Sequence, residues 1–177
     1  DATHVQTLHD AALVRYQEAY VKKITREVRE FDNVITEICD EPGIYGLTEE
    51  EYRPWLDRMI NAVRAAERGL PEKHLIAQQV CGMPDGAGDL SNDPRVQVVT
   101  GQYVWMATGG QVGGMKLLDC AYHRDKPIEL NETSYYPIWY EEGDRARAAR
   151  AEAWEFIVGG GAGFNQLNSY YSTDNPT

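Results

Sequence analysis

The sequence has few cysteines, an excess of acidic over basic residues and no long hydrophobic segment. Its three cysteines, Cys39, Cys81 and Cys120, are odd in number and lack the spacing of a disulfide framework or a zinc site. Lysine and arginine total 17 against 28 acidic residues, and the net charge of −11 argues against nucleic acid or an anionic membrane as a partner. No stretch approaches the roughly 18 apolar residues of a membrane-spanning helix.

The composition that remains is that of a folded domain. The chain has 177 residues, of which 42% are hydrophobic and 10% aromatic, enough for one ordinary domain with a buried core. We expect a single domain over residues 1–177, because no linker-like stretch divides it. The opening residues lack the basic-then-apolar profile of a signal peptide. The histidines show no metal-ligand spacing, so we expect no catalytic metal and no cofactor.

Helical and strand-like segments alternate along the chain. Apolar periodicity predicts helices over residues 8–30, 112–123 and 144–158, and Thr48 to Glu51 matches a capping box that opens another helix. Short apolar runs predict strands at 34–39, 74–80, 96–105, 127–131 and 164–168. This alternation predicts a parallel sheet with right-handed crossovers, and strands that are apolar throughout predict burial on both faces.

The number of strands falls short of a complete barrel. A closed (β/α)8 barrel needs about 250 residues. We therefore predict an α/β fold that is a partial TIM barrel, with five parallel strands equivalent to strands 4 to 8 and the first three absent. An open, doubly wound five-stranded sheet is the structural alternative. Open strand edges would allow the protein to associate with itself.

Two acidic residues follow predicted strands: Glu41 comes after the first strand, and Glu132 comes at the end of the fourth. Side chains at the carboxyl ends of parallel strands form the active sites of barrel enzymes. A pair of carboxyls suits the cleavage of a glycosidic bond, because one must donate a proton to the leaving oxygen while the other, ionised, attacks or activates water. Taken singly, each residue would be an ordinary loop acid; together they favour the catalytic interpretation.

The segments that carry these acids resemble the catalytic strands of the clan A glycoside hydrolases, in particular the cellulase-like members related to glycoside hydrolase family 5. Asp40-Glu41-Pro42 is similar to the family's Asn-Glu-Pro motif after strand 4, and Asn131-Glu132 is similar to the end of its strand 7. The similarity extends over nearly the whole chain. It implies a retaining hydrolase of β-linked oligo- or polysaccharides, with Glu41 as the acid/base and Glu132 as the nucleophile.

The resemblance and the positions at strand ends also predict substrate-binding residues. Gln102 and Tyr103 match the place where the family has a His and a Tyr near the nucleophile, although Tyr103 can also be read as a packed strand residue. Trp105 and Trp139 follow predicted strands in loops, where their indole faces can stack on sugar rings. Trp55 and Trp154 lie instead in predicted helices and are expected in the core. The predicted substrate-binding residues are Asp40, Gln79, Gln102, Tyr103, Asn131, Trp105 and Trp139.

Two departures from the family keep other functions open. Asp40 stands where the family has Asn, so an amide donor is lost, and its charge would favour a protonated Glu41. The Arg and His that the family supplies from its early strands are absent together with those strands. The alternatives are a carbohydrate-binding protein without catalysis and an inactive piece of a longer hydrolase. Because glycan-degrading enzymes are mostly exported, we expect a secreted or periplasmic location.

Overall fold

The computed structural model describes residues 4–43, 46–80, 90–102, 113–132 and 145–165. Within them lie helices α1 (Ala11–Val28), α2 (Glu49–Ala66), α3 (Gly113–Ala121) and α4 (Arg145–Val158), and a 3-10 turn at Tyr122–Arg124. The strands are β1 (Ile35–Glu37), β2 (Leu75–Val80), β3 (Val98–Gln102), β4 (Ile128–Glu132) and β5 (Gly163–Phe164). They form one sheet in the order β1-β2-β3-β4-β5, with parallel pairing. The predicted α/β architecture, with parallel strands and intervening helices, is confirmed.

The contacts divide the chain into two compact units. The first contains the described residues up to 80 together with 90–98, and the second contains the described residues from 99 onward. The expectation of a single domain over the whole chain stays a prediction, and each unit is described by itself below. No helix in the described part of the chain is long and apolar enough to cross a membrane.

In the first unit, α2 begins at the predicted capping box, whereas α1 begins at Ala11, after an Asp10 cap and three residues later than its apolar periodicity predicts. The carboxylate of Asp10 accepts hydrogen bonds from the backbone N–H groups of Ala12 and Leu13, at 2.9 and 3.0 Å. At the start of α2, the backbone N–H and the hydroxyl of Thr48 donate to the Glu51 carboxylate, at 2.8 and 2.9 Å. The core between these helices and β2 is a cluster of fully buried apolar side chains that includes Leu56, Met59, Ile60, Val63 and Ile76.

Tyr16, Tyr20 and Ile24 belong to the apolar stripe that predicts α1, but this stripe is not the face that the helix buries. Tyr16, Tyr20 and Ile24 are 77%, 68% and 44% exposed, whereas Val14 and Thr25 are buried. Val14 and Val21 form a second apolar row, and this row packs in the core cluster. The helix therefore carries two apolar rows. Periodicity identifies the helix but does not distinguish which of two such rows faces the core.

A buried polar network joins the end of α2 to the start of β2. Glu67 is fully buried, and its two carboxylate oxygens lie 2.9 Å from Nη1 of Arg64 and 2.9 Å from Nδ1 of His74. Arg64 also donates to the backbone oxygens of His74 and Arg95, at 2.9 and 3.0 Å. The charged atoms of this network therefore have hydrogen-bonding partners inside the protein, as buried charges require.

In the second unit, β3, β4 and β5 lie side by side and α3 packs against α4. Leu117, Leu130 and Phe156 are buried at 0–1% exposure and form the centre of this layer. The predicted core position of Trp55, in the first unit, is confirmed by its 7% exposure. The same prediction for Trp154 is wrong, since this side chain is 69% exposed on the outer side of α4.

Candidate active site

Glu41 lies in a tight loop after β1, and its backbone has an unusual conformation. Its φ angle is +44°, in the left-handed region that residues with a Cβ atom seldom occupy. Pro42 is buried and Glu41 itself is half-buried. Such a conformation costs roughly 1–3 kcal/mol, and it persists only where surrounding contacts hold it.

Two glutamine side chains hold this loop. Gln79, fully buried at the end of β2, accepts a hydrogen bond from the backbone N–H of Glu41 through Oε1. Its Nε2 donates to Oδ1 of Asp40, at 3.1 Å. On the other side, Oε1 of Gln6 accepts from the backbone N–H of Gly43 at 2.8 Å, and Gln6 is only 7% exposed.

The strand pattern explains why Gln79 reaches the loop. Ile76 packs in the core beside α2, and alternation along β2 places Ala77 and Gln79 on the opposite face of the sheet. β1 and β2 run parallel, with Glu37 beside Ala77, so the chain leaving β1 passes beside Gln79. Gly43 has φ +81°, and a Cβ atom there would meet Tyr52 at 2.8 Å, so the loop also requires a glycine.

These contacts give two predicted residues a defined place. Asp40 is exposed, whereas Gln79 is buried. Because Gln79 is hydrogen-bonded to both Asp40 and Glu41, its role is to position the loop. Direct contact of either residue with a sugar stays a prediction. Sequence reasoning missed Gln6, because a single glutamine in an irregular segment matches no motif; only the fold brings it to Gly43, 37 residues away.

Glu132 is the last residue of β4, and an irregularity in the strand decides which face it occupies. A side chain at Gly101 would meet Leu117 of α3 at 2.6 Å, so this face of β3 packs against α3. Gly101 pairs with Leu130, but the next residue, Gln102, pairs with Glu132 after a one-residue shift in register. Because such a shift exchanges the two faces of a strand, Glu132 lies on the face opposite to Leu130. That face is turned away from α3.

The remaining predicted residues are only partly described. Asn131 is the additional residue at the irregularity and is half-buried. Gln102 ends β3 and pairs with Glu132 through the backbone register. Tyr103, Trp105 and Trp139 lie outside the described residues. Among the residues that the structure describes, no group of three or more His, Cys, Asp or Glu side chains is arranged to hold a metal ion.

Each unit therefore offers one half-buried carboxyl at the carboxyl end of a parallel strand. In the first unit, Glu41 is held by side chains from two other segments, and in the second, Glu132 is oriented by the strand itself. A carboxyl on a fixed backbone can exchange a proton with a bound molecule, or attack it, without first becoming ordered. Catalytic residues of barrel enzymes occupy this edge of the sheet.

Comparison with known proteins gives structural matches alone. No protein-family model matches the chain, and no curated protein matches it. A solved structure described as a glycoside hydrolase superposes with a TM-score of 0.61 at 12% identity, over 93% of this chain and 41% of that one. A glycoside hydrolase family 5 protein from Bacteroides vulgatus ATCC 8482 gives 0.64 at 14% identity, over 88% and 37%.

A β-glucuronidase from Faecalibacterium prausnitzii gives a TM-score of 0.50 at 14% identity, over 90% of this chain and 30% of that one. The chain thus spans less than half the length of each of these structures. Since the identities are low, the likeness concerns the fold. The described strands and helices have a glycoside-hydrolase-like fold that corresponds to part of a TIM barrel.

Proposed function

We propose that this chain carries the catalytic carboxyls of a retaining glycoside hydrolase that cleaves β-linked oligo- or polysaccharides. We further propose that it is related to the family 5 members of clan A. The observation that carries this proposal is the position of Glu41 and Glu132, each after or at the end of a parallel strand in a glycoside-hydrolase-like fold. Catalysis in such folds takes place at this edge of the sheet.

The backbone at Glu41 supports the proposal independently of the fold. The φ angle of +44° falls on the acid of the Asp-Glu-Pro segment, not on a glycine, and two buried glutamines hold the loop in place. Strained residues held in this way are concentrated at functional sites. A loop that served only to connect β1 to α2 would be more stable with glycine at this position.

In the proposed mechanism, Glu132 attacks the anomeric carbon while Glu41 donates its proton to the glycosidic oxygen, and the leaving sugar departs. Glu41 then takes a proton from water. The oxygen of that water attacks the anomeric carbon and displaces Glu132, so the sugar leaves with retained configuration and both carboxyls return to their first state. This mechanism requires the two carboxyls to lie about 5–5.5 Å apart.

The test uses aryl β-glycosides with a good and a poor leaving group: the 2,4-dinitrophenyl and 4-nitrophenyl glucosides, xylosides, mannosides and glucuronides. Glu132→Ala should lose turnover on both aryl groups by orders of magnitude. Glu41→Ala should lose far less on the dinitrophenyl substrates, because their leaving group needs no proton. The matched controls are Glu37→Ala at the end of β1 and Glu129→Ala within β4, which should retain turnover.

Azide separates the two roles of the acids. In Glu41→Ala, azide should replace water on the glycosyl intermediate and give a β-glycosyl azide. In Glu132→Ala, it should attack the substrate directly and give the α-anomer. Turnover near the wild-type rate in both alanine variants, on a substrate that the wild type cleaves well, would remove Glu41 and Glu132 from the mechanism.

A second candidate function is glycan binding without hydrolysis. Asp40 stands where the resembled motif has Asn, and its carboxylate oxygen accepts a hydrogen bond from the buried Gln79. An acid here cannot supply the amide donor that the motif offers to a sugar hydroxyl. Calorimetry and reducing-end analysis on one sample distinguish the candidates: binding without new reducing ends favours the binder, and new reducing ends exclude it. A folded chain that neither binds nor cleaves would favour an inactive piece of a longer hydrolase.

A further inference from the structure

Two histidines face each other in the turn that precedes α1. The Nδ1 atoms of His4 and His9 are 3.4 Å apart, and both side chains are exposed. Their ring centroids are 5.5 Å apart with an interplanar angle of 60°, so the rings approach through their Nδ1 edges and do not stack.

The turn fixes this arrangement through one buried threonine. Thr7 is 1% exposed; its backbone N–H and its hydroxyl both donate to the backbone oxygen of His4, at 3.2 and 3.0 Å. The hydroxyl in turn accepts from the backbone N–H of His9, at 3.3 Å. Asp10 then caps α1. The two imidazoles are therefore carried by a short segment whose ends are hydrogen-bonded to a single residue.

The distance between the two nitrogens is that of a pair of metal ligands. Imidazole nitrogens bind zinc at about 2.0–2.1 Å, and tetrahedral geometry then places two of them about 3.3–3.4 Å from each other. We propose that His4 and His9 form a two-histidine site for a divalent transition-metal ion such as Zn²⁺, with water in the other positions. Imidazole suits zinc, copper and nickel, and it is a poor ligand for calcium or magnesium.

The surrounding charges favour a cation. Two carboxylates lie within electrostatic range of the imidazoles: Asp10, which follows His9 in the chain and lies near His4, and Glu51, which lies near His9. With two protein ligands and water, the site is open and exchangeable.

Binding at this site would act on the loop that carries Glu41. Gln6 lies between the two histidines in the chain, and its side chain accepts from Gly43 and donates to Sγ of Cys39, at 2.8 and 3.2 Å. Both Nδ1 lone pairs coordinate the ion, so a ring that carries its proton on Nδ1 transfers it to Nε2 on binding, without any redox change. The proposal does not depend on hydrolase activity.

The experiment is titration of the tag-free chain with ZnCl₂ by calorimetry, repeated with CoCl₂ followed by visible absorption. We expect one equivalent to bind, with affinity at least tenfold weaker in His4→Ala and in His9→Ala. His123→Ala, which removes an exposed histidine from the 3-10 turn of the second unit, should bind like the wild type. If an alanine variant unfolds, His4→Gln and His9→Gln replace the pair.

Two readouts distinguish the site from a merely structural contact between the rings. Zinc should raise the melting temperature of the wild type and of His123→Ala but not of the other two variants. Zinc should also slow hydrogen exchange at the backbone N–H of Gly43, which donates a hydrogen bond to Oε1 of Gln6. The proposal is overturned if one-equivalent binding is absent, or if His4→Ala and His9→Ala bind zinc as tightly as the wild type.

Discussion

The buried side-chain oxygen of Gln79 accepts a hydrogen bond from the backbone N–H of Glu41. One residue of β2 thereby holds the backbone of the proposed acid in its left-handed conformation, while the amide of the same side chain binds Asp40. Gln79 thus acts on the proposed site through the loop that carries Glu41. The contact couples the stability of the first unit to the geometry of the proposed site, and it can be tested by replacing one side chain.

Gln79→Met keeps the length of the side chain but removes both hydrogen bonds, leaving the N–H of Glu41 without this acceptor. We expect the free energy of unfolding in urea to fall by roughly 1–3 kcal/mol. Gln78→Met is the matched control: this neighbouring glutamine is also buried, lies on the other face of β2 and donates to Cys39 and Gln79. Both variants should lose stability, but only Gln79→Met should lose turnover beyond the loss of folded protein. Equal turnover in the two variants would show that Gln79 does not position the proposed site.

The backbone at Glu41 gives a second prediction. Glu41→Ala and Glu41→Gly both remove the carboxyl, but only glycine adopts a φ of +44° without a Cβ penalty. We therefore expect the glycine variant to be more stable than the alanine variant by about 1 kcal/mol, measured by urea denaturation. A glycine variant no more stable than the alanine variant would show that the loop relaxes out of this conformation when the side chain is lost.

The sequence predicts the elements of this fold better than the contacts of its site. Capping residues and short apolar runs identify the helices and strands, because these signals act within a few residues of where they occur. β1 ends at Glu37, earlier than its apolar run predicts, and the backbone oxygen of Cys39 is used by the side chain of Gln78 at 3.0 Å. That hydrogen bond joins residues 39 apart in the chain, and no local sequence pattern predicts it.

The same reasoning applies to the candidate site. Glu41 and Glu132 are visible from the sequence because each follows an apolar run. The face that Glu132 occupies depends on a one-residue register shift against β3, which only strand pairing reveals. Gln6 escapes sequence reasoning altogether, since its contact with Gly43 joins residues 37 apart in the chain.

The buried network at the start of β2 yields a prediction on stability. Glu67→Ala leaves Arg64 and His74 without the carboxylate that both contact, so we expect a loss of about 3–5 kcal/mol in the free energy of unfolding. Glu27→Ala removes an exposed partner of Lys23 and should change the stability far less. The network lies at the start of β2, at the opposite end of the strand from Gln79, so the proportion of folded protein should account for any loss of activity. A loss of stability as small as that of Glu27→Ala would mean that water replaces the Glu67 carboxylate as the partner of Arg64 and His74.

Glu152 should make the folded protein more stable as the pH falls from neutral toward 4.5. Burial raises the pKa of its carboxyl above the ordinary value of 4.5, against the opposing effect of a hydrogen bond from the backbone N–H of Gly114, while Glu155 adds to the increase. Above the folded pKa the carboxylate is ionised in both states, and its burial destabilises the folded one. On acidification the folded state binds the proton first, so stability rises between the folded pKa and the unfolded value.

Glu152→Gln cannot titrate, and its amide oxygen can still accept from Gly114. We expect this variant to be more stable than the wild type at pH 7, with a difference that shrinks as the pH approaches 4.5, measured by urea denaturation at a series of pH values. Asp93→Asn is the control of opposite sign: side-chain hydrogen bonds from Arg95 are the largest cause lowering the pKa of Asp93, so its stabilisation is present above 3.8 and lost as the pH falls further. A Glu152→Gln variant less stable than the wild type at every pH would show that the charged hydrogen bond to Gly114 outweighs the cost of burial.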